Sequence, residues 1–122
     1  MTVTENVQNM IEVHEKIYHV MEQVAPALEG KRILDAGAGW QDKTQFRNIV
    51  GSIFWLPELF EEHEYVTMDI RPECGCEVTG DVENLRDYFD TGSFDVVMCM
   101  EVLEHTMNPV TVVLGLWDVL KP

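Results

Sequence analysis

The stretch Arg32–Trp40, RILDAGAGW, decides the fold. Its first half is a short apolar run of the strand type. Its second half carries Gly37 and Gly39 on either side of Ala38, a composition that lets the backbone turn sharply and come close to a ligand. A helix following such a turn presents free N–H groups at its start. Three further apolar runs each close on Asp, Gly or Glu: EYVTMDI at 64–70, CEVTGD at 76–81 and FDVVMCME at 94–101. Helix-length or turn-like stretches separate them, KTQFRNIVGSIFWLPELFEEH at 43–63 and VENLRDYF at 82–89. Strands alternating with helices predict an α/β fold with a parallel sheet, whose ligands sit beyond the carboxyl ends of the strands.

Working outward, residues 7–24 place Val7, Met10, Ile11, His14, Ile17, Tyr18, Met21 and Val24 at three- and four-residue steps, a helical stripe, with Thr2 and Glu5 as a capping box. His14 on that stripe reads as a packed, hydrogen-bonded side chain, and His19 and His63 read as surface residues. At the other end, NPVTVVLGLWDVL at 108–120 reads as a helix with Val110, Val113, Leu114 and Trp117 inward. The expected organisation is one domain over 1–122, an N-terminal helix over 1–30 leading into a motif-bearing α/β core over 31–122.

With 122 residues and 46% hydrophobic composition, the chain is sized for one modest core. The formal charge of −14 opposes a broad phosphate-binding surface, so no nucleic-acid partner is expected. No apolar run approaches the ~20 residues of a membrane span, and the first ten residues lack a signal core, so a cytoplasmic protein is expected. Cys74, Cys76 and Cys99 offer neither a disulfide framework nor a paired zinc motif, and no metal is assigned.

The turn after Asp35 lacks the third glycine of a dinucleotide fingerprint; position 42 is Asp42. Two carboxylates would repel a pyrophosphate but suit a ligand bearing an ammonium and a sulfonium, as S-adenosylmethionine does. Asp69 stands where a strand-ending acid accepts hydrogen bonds from ribose hydroxyls, 69 − 39 = 30 residues beyond Gly39, with GSIFWLPELF as an insertion in the crossover. Ile70 reads equally as core or as a flat contact for an adenine ring. Asp81 reads as a helix N-cap or as an acceptor for the adenine amino group, with the Val82 N–H beside it. The aromatic residues Trp40, Phe54, Trp55, Phe60 and Tyr65 read as core more readily than as a wall for a second substrate.

In this order, RILDAGAGW, VTMDIRP, TGDVENL and SFDVVMCMEVLEHTMNP resemble the successive motifs of class I S-adenosylmethionine-dependent methyltransferases. The last is especially similar to the small-molecule group that includes the ubiquinone-biosynthesis O-methyltransferases. The resemblance covers Arg32–Pro122. It implies a Rossmann-like methyltransferase fold with strand order 3-2-1-4 and S-adenosylmethionine as cofactor. Asp35, Gly37 and Gly39 would surround its methionine end, Asp69 would bind the ribose, Asp81 with Val82 would read the adenine, and Met100 would line the pocket near the sulfonium; Ala38, between the two glycines, and Ile70, beside Asp69, complete the candidate cofactor contacts. The acceptor would be a small molecule.

Glu101, Glu104 and His105 form E-x-x-E-H after the fourth strand, a group able to hold a divalent ion, to take an acceptor proton at His105, or simply to organise the turn. The last is the preferred reading, with His105 kept as the catalytic candidate. Gln41 replaces a frequent family glycine. The family also continues past LKP with further strands, so the chain is expected to be truncated there. That would leave the fourth strand as an edge open to a homodimer or a partner chain. A non-catalytic, partner-docking module is the alternative function.

Overall fold

The structure, a computed structural model, describes residues 2–100 and 102–122; Met1 and Glu101 lie outside it, as do the side chains of Val3, Thr4, Asn6 and Val7. Helix α1 runs Val3–Val24, and both halves of the capping box form: Thr2 Oγ1 accepts from the Glu5 N–H at 3.1 Å, and Glu5 Oε2 from the Thr2 N–H at 2.8 Å. The central strand β1 spans Arg32–Ala36 and pairs in parallel with β2, Glu64–Asp69, on one side and β4, Val96–Met98, on the other. Strand β3, only Val78–Thr79, adds to β2, so the order is β3-β2-β1-β4, the 3-2-1-4 of the expected Rossmann-like fold.

Alternation along β1 divides the interior in two. Leu34 and Ala36 point to one face, where Met68, Leu85, Phe94, Val112 and Val119 join them. Ile33 points to the other, beneath Ala25, Phe60 and Met98, with Met21, Leu28 and Leu59 around them. Strands buried on both faces carry near-continuous apolar sequence, which is why β1 shows no polar alternation.

Four expectations need correction. The stretch 43–63 is not one helix: α2, Lys43–Val50, stops at Gly51 in the left-handed region with φ 81, and a separate 3-10 turn spans Leu56–Phe60. His63 is not a surface residue; it is half-buried, its Nε2 sits 2.8 Å from the Ala25 carbonyl, and its edge packs on Phe60. The aromatic residues divide, Phe60 and Tyr65 stacking with centroids 5.0 Å apart while Trp40, Phe54 and Trp55 line a cleft. Helix α3, Pro109–Val119, is rotated from the expected orientation: Val112 and Val119 are buried, whereas Val110, Val113, Leu114 and Trp117 are exposed, Trp117 at 75%. The cause lies at Gly115, where an added Cβ would come within 3.3 Å of Leu85. The helix approaches the turn Val82–Asp87 on its smallest residue, and a stripe led by Trp117 would hold the two apart.

Beyond α3 the chain runs back alongside the start of β4. The Phe94 N–H donates to Val119 O at 2.9 Å and the Lys121 N–H to Phe94 O at 2.8 Å, a parallel bridge between Phe94 and Leu120. Past that bridge, Val96–Met98 have no strand on this side among the described residues.

Candidate functional site

The carboxyl ends of β1, β2 and β4 meet at the glycine turn. Gly37 and Ala38 both donate their N–H to Met68 O at 2.8 Å, which pins the turn to β2. Gly37 has φ 79, and a Cβ there would collide with the Val102 side chain. Gly39 has φ 74 but open space around it, so only its backbone conformation calls for glycine.

Asp69 fastens the turn from behind. Its Oδ2 accepts from the Gly39 N–H at 2.9 Å, and its Oδ1 accepts from the Arg71 N–H at 3.0 Å and Nε at 3.1 Å. Burial works to raise its pKa, but the hydrogen bonds from Arg71 and Gly39 outweigh it and hold the carboxyl below the ordinary range. Arg71 in turn lies over the Trp40 ring, 5.6 Å from its centroid.

Asp35 behaves oppositely. It is buried at 4% exposure and accepts a hydrogen bond from the Tyr65 hydroxyl. Burial pushes its pKa up to about 6, the Tyr65 hydrogen bond opposes this, and the negative charge of Asp69 adds to it. A buried carboxylate without a cation at the floor of a cleft is a place where a cationic ligand group is favoured.

The cleft has a volume of about 650 Å³. Asp35, Gly37, Ala38 and Gly39 form its floor, and Met100 and His105 reach it from the β4 side. Met10, His14 and Ile17 of α1 cover it, and Trp40, Phe46, Phe54 and Trp55 give it an apolar wall. The cover is tied down by Glu58, which accepts from the Tyr18 hydroxyl at 2.7 Å and pairs with Lys43 Nζ at 2.6 Å. Trp55 Nε1 donates to Trp40 O at 2.9 Å. Asp42 caps α2, accepting from the Gln45 N–H at 2.9 Å, so its carboxylate occupies the helix start that a phosphate would need. Gln41 folds back with its Nε2 on Gly39 O at 3.2 Å, so it sits on the turn.

The other expected residues lie outside these walls. Ile70 is 61% exposed, which excludes its reading as core. Asp81 caps the turn Val82–Asp87 by accepting from the Glu83 N–H at 2.9 Å, and Val82 is buried in the core. His105 stands at the cleft rim with its side chain 78% exposed, 3.7 Å from Glu104. Glu101, the first member of that group, lies outside the described residues.

Sequence reasoning missed Arg71 and Tyr65, for which the chain carried no local signal, and set His14 aside as packing. Spacing put His14 on the same helix face as Met10 and Ile17, but nothing in it showed that this face meets the cleft.

A family model described as "Methyltransferase domain" matches residues 53–122. Among similar proteins, the ubiquinone biosynthesis O-methyltransferase of Shewanella pealeana is 30% identical over 104 residues, 84% of this chain and 44% of the relative. The enzyme of the same description from Thiobacillus denitrificans is 34% identical over 97 residues, 78% of this chain and 42% of the relative. The chain thus spans less than half the length of these relatives. Among solved structures, a SAM-dependent methyltransferase from Archaeoglobus fulgidus superposes with a TM-score of 0.57 at 20% identity, covering 88% of this chain and 48% of that one. The trans-methyltransferase CalH, in complex with SAH, gives 0.56 at 22%, covering 86% and 33%.

Proposed function

The chain belongs to the methyltransferase domain family, with the class I, S-adenosylmethionine-dependent architecture, and we propose that it forms the cofactor-binding part of an enzyme that methylates a small molecule. The observation that carries this reading is the floor of the cleft, where a glycine turn with two positive-φ residues lies beside the buried Asp35, which has no ion pair among the described residues. That combination fits the ammonium and sulfonium of S-adenosylmethionine, and Asp42 at the start of α2 disfavours the pyrophosphate of a dinucleotide. The cofactor, when bound, supplies an already activated methyl group.

In this reading Asp35, Gly37, Ala38 and Gly39 hold the methionine end and Met100 packs near the sulfonium. Asp69 takes the ribose; its Oδ1 already accepts two hydrogen bonds, so the ribose meets Oδ2 first. Ile70 lies against the adenine, which Asp81 and the Val82 N–H read. The protein's own contribution to rate is positioning and exclusion of water, for which the α1 cover is suited. His105 is the candidate base at the rim, and the acceptor is a small molecule; the names of the relatives point to quinone precursors.

Titration of the folded Asp69→Ala variant with S-adenosylhomocysteine tests the assignment. The account expects a loss of tenfold or more from missing charge-assisted hydrogen bonds of ~1.5 kcal/mol or more; unchanged affinity contradicts it.

A second reading, a partner-docking module, is favoured by one observation: the side of Val96–Met98 past the Phe94 bridge is unpaired among the described residues, and the apolar α3 face is exposed. Pairing there would give a homodimer or a complex with another chain. Light scattering over a dilution series separates the two readings. No helix among the described residues is long and apolar enough to cross a membrane.

A further inference from the structure

The cleft holds a second imidazole, and its hydrogen bonding is more informative than that of His105. His14 Nδ1 lies 2.7 Å from the Met10 carbonyl. A carbonyl only accepts, so Nδ1 carries the hydrogen, and in the neutral ring Nε2 bears the lone pair. The ring edge packs on Phe46, with centroids 5.8 Å apart at 72°, which fixes its plane. His14 lines the cleft together with Met10 and Ile17, as do the aromatic residues Phe54 and Trp55. An aromatic, apolar wall beside an imidazole acceptor nitrogen held in one tautomer suits a flat apolar ligand bearing a hydroxyl donor.

We propose that His14 is an acceptor-binding residue whose Nε2 receives the hydroxyl hydrogen of a phenolic substrate in this cleft. The inference rests on reading the cleft as the methyl-acceptor site and names its substrate class. The charged and titratable groups that share the cleft with His14 are Asp35 on β1, Arg71 after β2, and Glu104 and His105 after β4. Among the described residues none of these is hydrogen-bonded to His14, and the bond to the Met10 carbonyl sets its tautomer.

Phenol and anisole serve as probes, because anisole keeps the ring and lacks the hydroxyl hydrogen. Quenching of Trp40 and Trp55 in the wall reports binding, measured in the presence of S-adenosylhomocysteine. In the wild-type chain phenol should bind more tightly than anisole. His14→Leu should weaken phenol about tenfold, one hydrogen bond's worth, and leave anisole unchanged. Equal losses for both probes would show a merely structural role, and no loss for phenol would show no contact; either overturns the proposal. Nitrogen-15 shifts of the His14 ring give an independent check, since a protonated Nε2 with bare Nδ1 also overturns it. S-adenosylhomocysteine binding without phenol binding refutes this inference alone, whereas loss of both refutes the cofactor reading with it.

Discussion

At the carboxyl end of the central strand β1, the turn Gly37–Gly39 is pinned by Met68 and Asp69, floored by a buried carboxylate and covered by a helix. At the carboxyl ends of β2 and β3, Ile70 stands exposed and Asp81 caps a 3-10 turn. The methionine end of the proposed site is thus preorganised, while the adenine end offers an open shelf. Substitutions at the first end should therefore disturb fold and ligand together, and those at the second should separate the two.

The largest effect is expected at Gly37. Gly37→Ala combines a left-handed backbone with a collision against Val102, costing ~2–4 kcal/mol. Gly39→Ala meets open space and pays only the backbone penalty, ~1 kcal/mol. Urea midpoints for the two variants give the comparison, and equal midpoints would mean that the close approach at Val102 carries no weight.

Asp35→Asn should shift stability in the other direction. Asp35 ionises at 3.8 when unfolded and at about 6 when folded. Its favourable contribution is therefore complete below pH 3.8 and is lost as pH rises through 6. Removing the charge should stabilise the chain at pH 7.5 by up to ~3 kcal/mol, by the linkage of a two-unit shift, and flatten the slope between pH 4 and 6. Asp69 contributes in the opposite sense, its low pKa giving stability that is lost as pH falls through the folded value. Melting curves of Asp35→Asn at pH 4.5 and 7.5 decide it; a variant less stable than wild type at pH 7.5 contradicts the account.

The smallest effects belong to the open shelf. Asp81→Ala should cost ~1 kcal/mol, the value of a lost cap. Ile70→Ala, at an exposed position, should leave stability within ~0.5 kcal/mol of wild type while weakening S-adenosylhomocysteine severalfold. A large fall in the melting temperature of Ile70→Ala would mean that the shelf is part of the core after all.

The strands and the glycine turn were legible in the sequence because both depend on local pattern, apolar runs ending in acids and glycines at a bend, whereas the strand order, a non-local property, came only from the resemblance to class I methyltransferases. Helix α3 was misread because its orientation is set by Gly115 meeting Leu85, a contact 30 residues away that periodicity cannot register. Its true inward stripe, Val112, Gly115, Leu116 and Val119, has the same spacing as the aromatic one chosen, and only the partner distinguishes them. His63 was misread for a similar reason, since its partner is the carbonyl of Ala25, 38 residues earlier. At the site, Asp35, Gly37, Ala38, Gly39, Met100 and His105 line one cleft, whereas Asp69, Ile70, Asp81 and Val82 are not among its lining residues. The cover supplied by His14 and Ile17 was not legible, because nothing in the helix itself says which part of the sheet it crosses.

The central claim is that the cleft floor is built for a cation-bearing nucleoside and against a pyrophosphate. Calorimetric titration of the wild-type chain with S-adenosylhomocysteine and, separately, with NAD tests it most directly. The account predicts saturable one-to-one binding of S-adenosylhomocysteine and none of NAD. NAD binding as tight, or a folded sample silent to S-adenosylhomocysteine, would contradict it.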